Sequence, residues 1–262
     1  MALLRNKTAI VTGGAGSIGL AVARLFLAEG ANIVLVDNDR AALERAVAGL
    51  PKERVACAAA DVTDNISTQA YIGLAVERFG GIDVLFSNAG TFGTVAPIAD
   101  YPLDIFDAVQ AVHVRGAFLA AKHAVPHMRD GGSIIITSSV AATRGDPGVY
   151  AYITAKHAQT GLMRCLAKEL APRGIRVNTV NPDAVLRGSK IWNGEWREQR
   201  AASSKIEVTD LEEHYRKRSM LKLNVFPEDI AEAIYFLASD ASAKSTGNII
   251  NVDAGNAQSF TR

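Results

Sequence analysis

From Thr8 to Val252 the chain repeats one pattern: a short β-branched run, a turn, then an apolar segment with helical period. The strand-like runs are "KTAIVTGG", "ANIVLVD", "RVACAAAD", "IDVLFSNAG", "GGSIIITSS", "GIRVNTVNP" and "GNIINVDAG". Between them lie "SIGLAVARLFLAEG", "AALERAVAGL", "STQAYIGLAVERFG", a long stretch from about Asp104 to Met128, "YAYITAKHAQTGLMRCLAKELAP" and "PEDIAEAIYFLAS". Strands that alternate with helices in this way form a parallel sheet covered on both faces. The pattern predicts an α/β fold, a doubly wound parallel sheet of seven strands. No repeat, low-complexity tract or linker interrupts it, so residues 1–262 read as a single domain. The one segment outside the alternation runs from Asp183 to about Lys222; it is polar and carries tryptophans.

Composition narrows the class. Of 262 residues, 48% are hydrophobic and 21% charged, and the formal net charge is +1. Such a balance suits a globular α/β domain and gives no support to a nucleic-acid or membrane-surface partner. The apolar runs are strand-length, and the opening residues pass directly into a strand, so neither a membrane span nor a signal peptide is expected and the location reads as cytoplasmic. Cys57 and Cys165 read as reduced core residues. His123 and His127 share a helical segment but have Pro126 between them and no carboxylate nearby, so no metal is expected.

"TGGAGSIG", Thr12 to Gly19, lies between the first strand and the first helix. It can be framed as G-x-G-x-x-G from Gly14 or, nearly, as T-G-x-x-x-G-x-G from Thr12, with Ser17 at the middle glycine. Either frame puts free helix-start N–H groups where a pyrophosphate binds, which is the Rossmann-type arrangement. Asp37 ends the second strand, where a carboxylate accepts hydrogen bonds from an adenosine ribose and repels the extra phosphate of NADP. The expected cofactor is NAD.

On the helix after the fifth strand, Tyr152 and Lys156 share one face. A phenol ordinarily titrates near 10, and a neighbouring ammonium favours the phenolate. Tyr152 is thus the expected acid/base, with Lys156 at its side. Ser139, at the C-terminal end of the preceding strand, is placed to hold a substrate oxygen. Tyr150 is the competing tyrosine, but the residue one turn on is Thr154, not a cation.

With "TGGAGSIG", Asp61-Val62, "SNAG" at Ser87 to Gly90, Ser139, "YITAK" and "VDAG" at Val252 to Gly255, the chain resembles the short-chain dehydrogenase/reductase family over nearly its whole length. The resemblance selects the T-G-x-x-x-G-x-G frame and implies cofactor contacts at Gly13, Ser17, Ile18, Gly19, Asp37, Asp61, Val62, Asn88, Ala89, Gly90, Pro182 and Val185, besides Tyr152 and Lys156. Lys156 is implied to hold the nicotinamide ribose. A homotetramer is also implied. The expected activity is NAD-dependent interconversion of a secondary alcohol and a ketone.

Three departures stand out. Ser17 replaces a glycine at the helix entrance, where its hydroxyl can cap the helix or bind phosphate. His113, in "VHVRG", replaces the family's asparagine, and is read either as a structural histidine or as a catalytic proton relay titrating near neutrality. Asp183 replaces the glycine of N-P-G, and Arg187 stands at the threonine's place, so the loop there is expected to be shaped differently. "NPDAVLRGSKIWNGEWREQR" through "STGNIINVDAGNAQSFTR" resembles the dehydrogenase half of the bifunctional rhamnulose-1-phosphate aldolase/alcohol dehydrogenases. Its cations, Arg187 and Lys190 among them, either pair with a carboxylate or phosphate on a substrate or form a solvated helix face over buried tryptophans, and polyol, sugar or hydroxy-aldehyde substrates are expected. The competing readings are a reductase of a hydrophobic cyclic or 3-oxoacyl ketone and, from another class, a catalytically silent NAD-binding sensor, against which the intact Ser139, Tyr152 and Lys156 argue.

Overall fold

The structure, a computed structural model, describes residues 3–189 and 195–259. Seven parallel strands form one sheet in the order β3-β2-β1-β4-β5-β6-β7. They are β1 (Thr8–Thr12), β2 (Asn32–Asp37), β3 (Val55–Ala59), β4 (Ile82–Ser87), β5 (Met128–Thr137), β6 (Arg176–Pro182) and β7 (Ile249–Val252). The order reverses between β1 and β4, so the chain leaves their C-terminal ends in opposite directions and opens a crevice there.

Successive strand residues feed two separate cores, because their side chains alternate across the sheet. Val11, Leu35, Phe86 and Ile135 pack with Phe26 of α1 (Ser17–Ala28) and with Ile230 and Ile234 of α9 (Pro227–Ala238). Their chain neighbours Ile10, Val34, Leu85 and Ile134 pack on the other face with α3 (Asn65–Phe79), α5 (Gly116–Ala124) and α6 (Tyr150–Leu170). Every one of these strand residues is fully buried, which is why the strands read as continuous apolar runs. The helix ends follow local chemistry. The Asp64 carboxylate accepts from the Ser67 N–H at 2.7 Å to start α3, and Gly80, at φ 74°, ends it.

Several expectations need correction. Residues 103–127 are helical but not one regular helix: α4 (Leu103–Gln110) runs into a π-helical turn at Ala111–Arg115, then α5, then a 3₁₀ turn at Val125–His127. Pro126, which lacks an N–H, sits in that last turn, and β5 begins at Met128, pairing with Ile82, ahead of "GGSIIITSS". The 183–222 segment carries two helices, α7 (Glu195–Ser204) and α8 (Leu211–Arg218), around a small core of Ala201, Leu211 and Tyr215. Helix α2 (Arg40–Val47) completes the set. Cys57 and Cys165 are both free and exposed. β3 is an edge strand and Cys57 falls on its solvent-facing alternation; the inward side of α6 is taken by Met163, Ala167 and Leu170. Among the described residues no helix is long and apolar enough to cross a membrane.

Candidate active site

The crevice is a cavity of about 350 Å³ running from the glycine turn, past the ends of β1, β4 and β5, to α7. Gly13, Ser17, Ile18, Asp37, Asp61, Val62, Asn88, Ala89, Gly90, His113, Ser139, Tyr152, Lys156, Pro182 and Val185 all line it. Gly19 stands behind this wall. A Cβ on Gly19 would lie 2.2 Å from the Gly13 carbonyl oxygen, and Gly13 itself has φ +64° with Ala89 and Asn88 at 3.0 Å from its missing Cβ. Both glycines are therefore dictated by backbone packing. Gly14, a spacer in that frame, is constrained too, since a Cβ there would meet Leu35 at 2.7 Å. Gly16 is the N-cap of α1 and no side chain caps this helix, so of the two roles open to Ser17 it does not take capping, and its place on the cavity wall leaves phosphate binding open.

Asp37 shapes the loop from the next strand. Its Oδ2 accepts from the Ala15 N–H at 3.0 Å and its Oδ1 from the Asp39 N–H at 3.2 Å. A carboxylate has about four lone-pair sites, so both oxygens keep capacity toward the cavity. Asn88 binds three strand ends together: its Nδ2 donates to the Thr12 carbonyl at 3.1 Å, and its Oδ1 accepts from Thr137 at 3.0 Å.

At the far end, Ser139 caps a 3₁₀ turn, its Oγ accepting from the Ala141 N–H at 3.1 Å. The accepting role leaves its hydroxyl proton for another partner. Tyr152 lies at the wall, with the Phe92 ring stacked on it at 4.8 Å and Trp196 stacked on Phe92 at 3.4 Å. These rings cover one face of the Tyr152 ring. Burial pushes Tyr152 up to about 12, with the Ser139 hydroxyl opposing the shift and the Asp183 carboxylate adding to it. The expectation that Lys156 lowers this value is not met in the cofactor-free protein. Lys156 is itself pulled down to about 7 by burial, and its Nζ stands 5.3 Å from the Tyr152 ring centre. Nζ donates to the Thr137 carbonyl at 2.7 Å and to Gln159 Oε1 at 3.1 Å. Tyr150 packs edge-on against Tyr101 and does not line the cavity.

Gln159, one turn beyond Lys156, was not singled out from the sequence. Its Nε2 donates to the His113 backbone carbonyl at 3.0 Å, so a buried amide links Lys156 to the π-helical turn. A polar residue at a core-facing position of α6 was the available signal. His113 places its own Nε2 2.6 Å from the Thr91 carbonyl oxygen and 3.2 Å from the Thr91 N–H, so the backbone of Thr91 holds the ring by that nitrogen. Its Nδ1 is buried without a hydrogen-bond partner among the described residues. Burial, and then the neighbouring Lys156, hold this imidazole well below its ordinary pKa, which favours the structural histidine of the two readings. Its ring packs against Gly90, where a Cβ would come within 2.6 Å. His113→Ala is expected to lower the Tm by on the order of 5 °C. The pH profile of kcat should keep its shape, and an inflection lost near neutrality in the variant would return the histidine to the proton path.

Asp183 is held by Arg218 at 2.6 Å and Asn256 at 2.8 Å, and the left-handed conformation falls on the next residue, Ala184, at φ 47°. Arg187 stacks on Phe226 at 4.2 Å and is not part of the cavity wall. Lys190 and Trp192 lie outside the described residues. Arg200, which the sequence reading passed over, does line the cavity, one helical turn from Trp196 on α7.

Residues 13–257 match the family model described as Enoyl-(Acyl carrier protein) reductase. Uncharacterized oxidoreductase YuxG of Bacillus subtilis (strain 168) is 41% identical over 98% of this chain, which spans 38% of that relative's length. Short-chain dehydrogenase reductase 5 of Arabidopsis thaliana is 36% identical over 96% of this chain and 95% of its own. The crystal structure of levodione reductase superposes with a TM-score of 0.88 at 29% identity, covering 98% of this chain and 100% of that one. A 3-ketoacyl-(acyl-carrier-protein) reductase from Brucella melitensis, complexed with NADH, superposes with a TM-score of 0.84 at 28% identity, covering 98% of this chain and 99% of that one. The chain belongs to the short-chain dehydrogenase/reductase family, a family of oxidoreductases that bind a nicotinamide cofactor.

Proposed function

We propose that the protein interconverts a secondary alcohol and a ketone with NAD(H), and that Tyr152 is the acid/base. The observation that carries this is the meeting of Ser139, Tyr152 and Lys156 in one cavity that continues to Asp37. Gly13 and Gly16 line the cavity at the start of α1 and leave the backbone bare where a dinucleotide must approach closely, so the residues present fit the cofactor. Bound NAD supplies the hydride acceptor. Ser139 orients the carbinol oxygen, Tyr152 takes its proton, and the Lys156 ammonium, held by Thr137 and Gln159, stabilises the phenolate as it forms.

The stacked Phe92 and Trp196 favour a substrate with a flat or apolar body over the polyol class, since Arg187 faces elsewhere. This supports the hydrophobic-ketone reading as the second candidate. The likeness of the C-terminal part to the dehydrogenase half of an aldolase/dehydrogenase rests on the sequence alone. A cytoplasmic homotetramer is part of the same reading.

Reduction of NAD by a panel of secondary alcohols tests the activity; absence of turnover with either nucleotide across the panel rejects it. Asp37, at the end of β2, lines the cavity, and a carboxylate there would repel the extra phosphate of NADP. The wild type is expected to prefer NAD. Asp37→Ala should narrow the ratio of kcat/KM for the two nucleotides about tenfold or more. It should also weaken NAD, because Ala15 loses its acceptor. A wild type that prefers NADP contradicts the assignment.

A further inference from the structure

We propose that Arg200 receives a carboxylate on the substrate, so that the protein acts on hydroxy acids or oxo acids whose carbinol or carbonyl carbon is separated from the carboxylate by an apolar spacer. The proposal rests on the alcohol/ketone reading above and names the substrate class of that same site.

The first observation is a count of charges at the substrate end. Arg144 pairs with Asp146 at 3.2 Å and bonds Gln258 at 2.9 Å. Arg218 pairs with Asp183 at 2.6 Å. Among the described residues Asp146 and Asp183 are thus each paired with another cation, and Arg200, which feels the charge of both, forms an ion pair with neither. Its Nε donates to the Tyr215 hydroxyl at 2.6 Å. That bond fixes the plane of the guanidinium. Among the described residues its two terminal amino groups have no hydrogen-bond or ion-pair partner within the protein, although the side chain is half-buried in the cavity wall.

The second observation is where this cation stands. Trp196 and Arg200 lie one turn apart on α7, and Trp196 closes the stack that begins at Tyr152 and passes through Phe92. The guanidinium is therefore carried by the same helix that roofs the acid/base, one aromatic layer removed from it. A substrate whose oxygen meets Ser139 and Tyr152 runs along Phe92 and Trp196 and ends at Arg200. A fork of two free N–H₂ groups matches a carboxylate in shape and in charge. A phosphate dianion would call for a second free cation, and Arg144 is already engaged by Asp146.

The test compares acids with their methyl esters, so that the reacting carbon is constant and the charge is removed. The probes are 3-hydroxybutanoate, 4-hydroxypentanoate and 5-hydroxyhexanoate with the corresponding esters, assayed by NAD reduction in wild type, Arg200→Met and Arg200→Lys. In wild type at least one acid should exceed its ester in kcat/KM by about 30-fold, the effect of one charge-assisted hydrogen-bonded pair. Arg200→Met should collapse that ratio to within about threefold, and Arg200→Lys should restore part of it, since it keeps the charge and loses the fork. Thermal melts confirm that each variant is folded.

Three results overturn the proposal. Esters turned over as well as acids at every length leave the alcohol/ketone reading standing and remove the anion. Equal losses on acid and ester in Arg200→Met make the arginine a support for Tyr215 and nothing more. Failure of every probe and of the neutral secondary alcohols with both nucleotides removes the underlying reading, and this inference with it.

Discussion

Tyr152→Phe is expected to lower kcat by three orders of magnitude or more while leaving nucleotide affinity within a few-fold of wild type. The substitution removes one oxygen and keeps the ring on which Phe92 stacks at 4.8 Å, so the Phe92 and Trp196 wall has the same support. What is lost is the proton acceptor. General acid–base groups contribute typically about 10²–10⁴-fold, and Tyr152 also fixes the carbinol oxygen against Ser139. In the cofactor-free protein burial holds the phenol up at about 12, well above neutrality. On the proposed reading the phenolate would be favoured by positive charge beside it, from Lys156 and from an oxidised nicotinamide cofactor, and without the phenol that charge would have nothing to act on. NADH fluorescence titration gives the affinity and steady-state turnover gives the rate. A variant within tenfold of wild type in kcat would mean that another group takes the proton.

The sheet was legible because its strands are buried on both faces. "TAIVT", "NIVLV" and "SIIIT" have no polar alternation, and seven such runs separated by helical segments leave little freedom in topology. The chemistry at Ser139, Tyr152 and Lys156 was legible because it rests on local spacing: one helix turn between tyrosine and lysine, and a serine at the end of the adjoining strand. What escaped the sequence came from burial and from distant pairing. His113 titrates like a free histidine only if water reaches it, and its exposure of 1% is set by Gly90, Thr91 and α6, none of which its own sequence neighbourhood reveals. Cys57 was assigned to the core on residue habit, whereas the position of β3 at the sheet edge decided the matter. Arg200 and Arg187 look equivalent in a polar segment; the fold of α7 turns one to the cavity and stacking on Phe226 holds the other away. The lowered value of Lys156 follows from a wall built by β5, α6 and the π-helical turn together.

Lys156→Met is expected to lower kcat by at least two orders of magnitude and, in the cofactor-free protein, to abolish a rise in stability between pH 7 and pH 10. The rate follows from the loss of the ammonium that favours the phenolate. The stability follows from linkage. Lys156 titrates at about 7 when folded against 10.5 as an ordinary lysine. Between those values the unfolded chain holds a proton that the folded chain has released, so stability rises with pH across the window, at about 1.4 kcal/mol per pH unit for one whole proton. Below the window both states are protonated and the burial penalty is felt in full; above it the penalty is gone. Tyr152, raised to about 12, acts the other way, but only above pH 10, where the unfolded phenol ionises first. Methionine fills a similar volume with no charge to desolvate, at the cost of leaving the Thr137 carbonyl and Gln159 Oε1 without their donor. The variant's Tm should therefore stand highest relative to wild type at pH 7, by roughly 5 °C or more, and the two curves should converge toward pH 10. Melting curves of both proteins, without nucleotide, at half-unit steps across that range measure the difference directly. Parallel curves would show that Lys156 keeps its proton in the folded protein, and the account of a lysine neutralised by burial would fall.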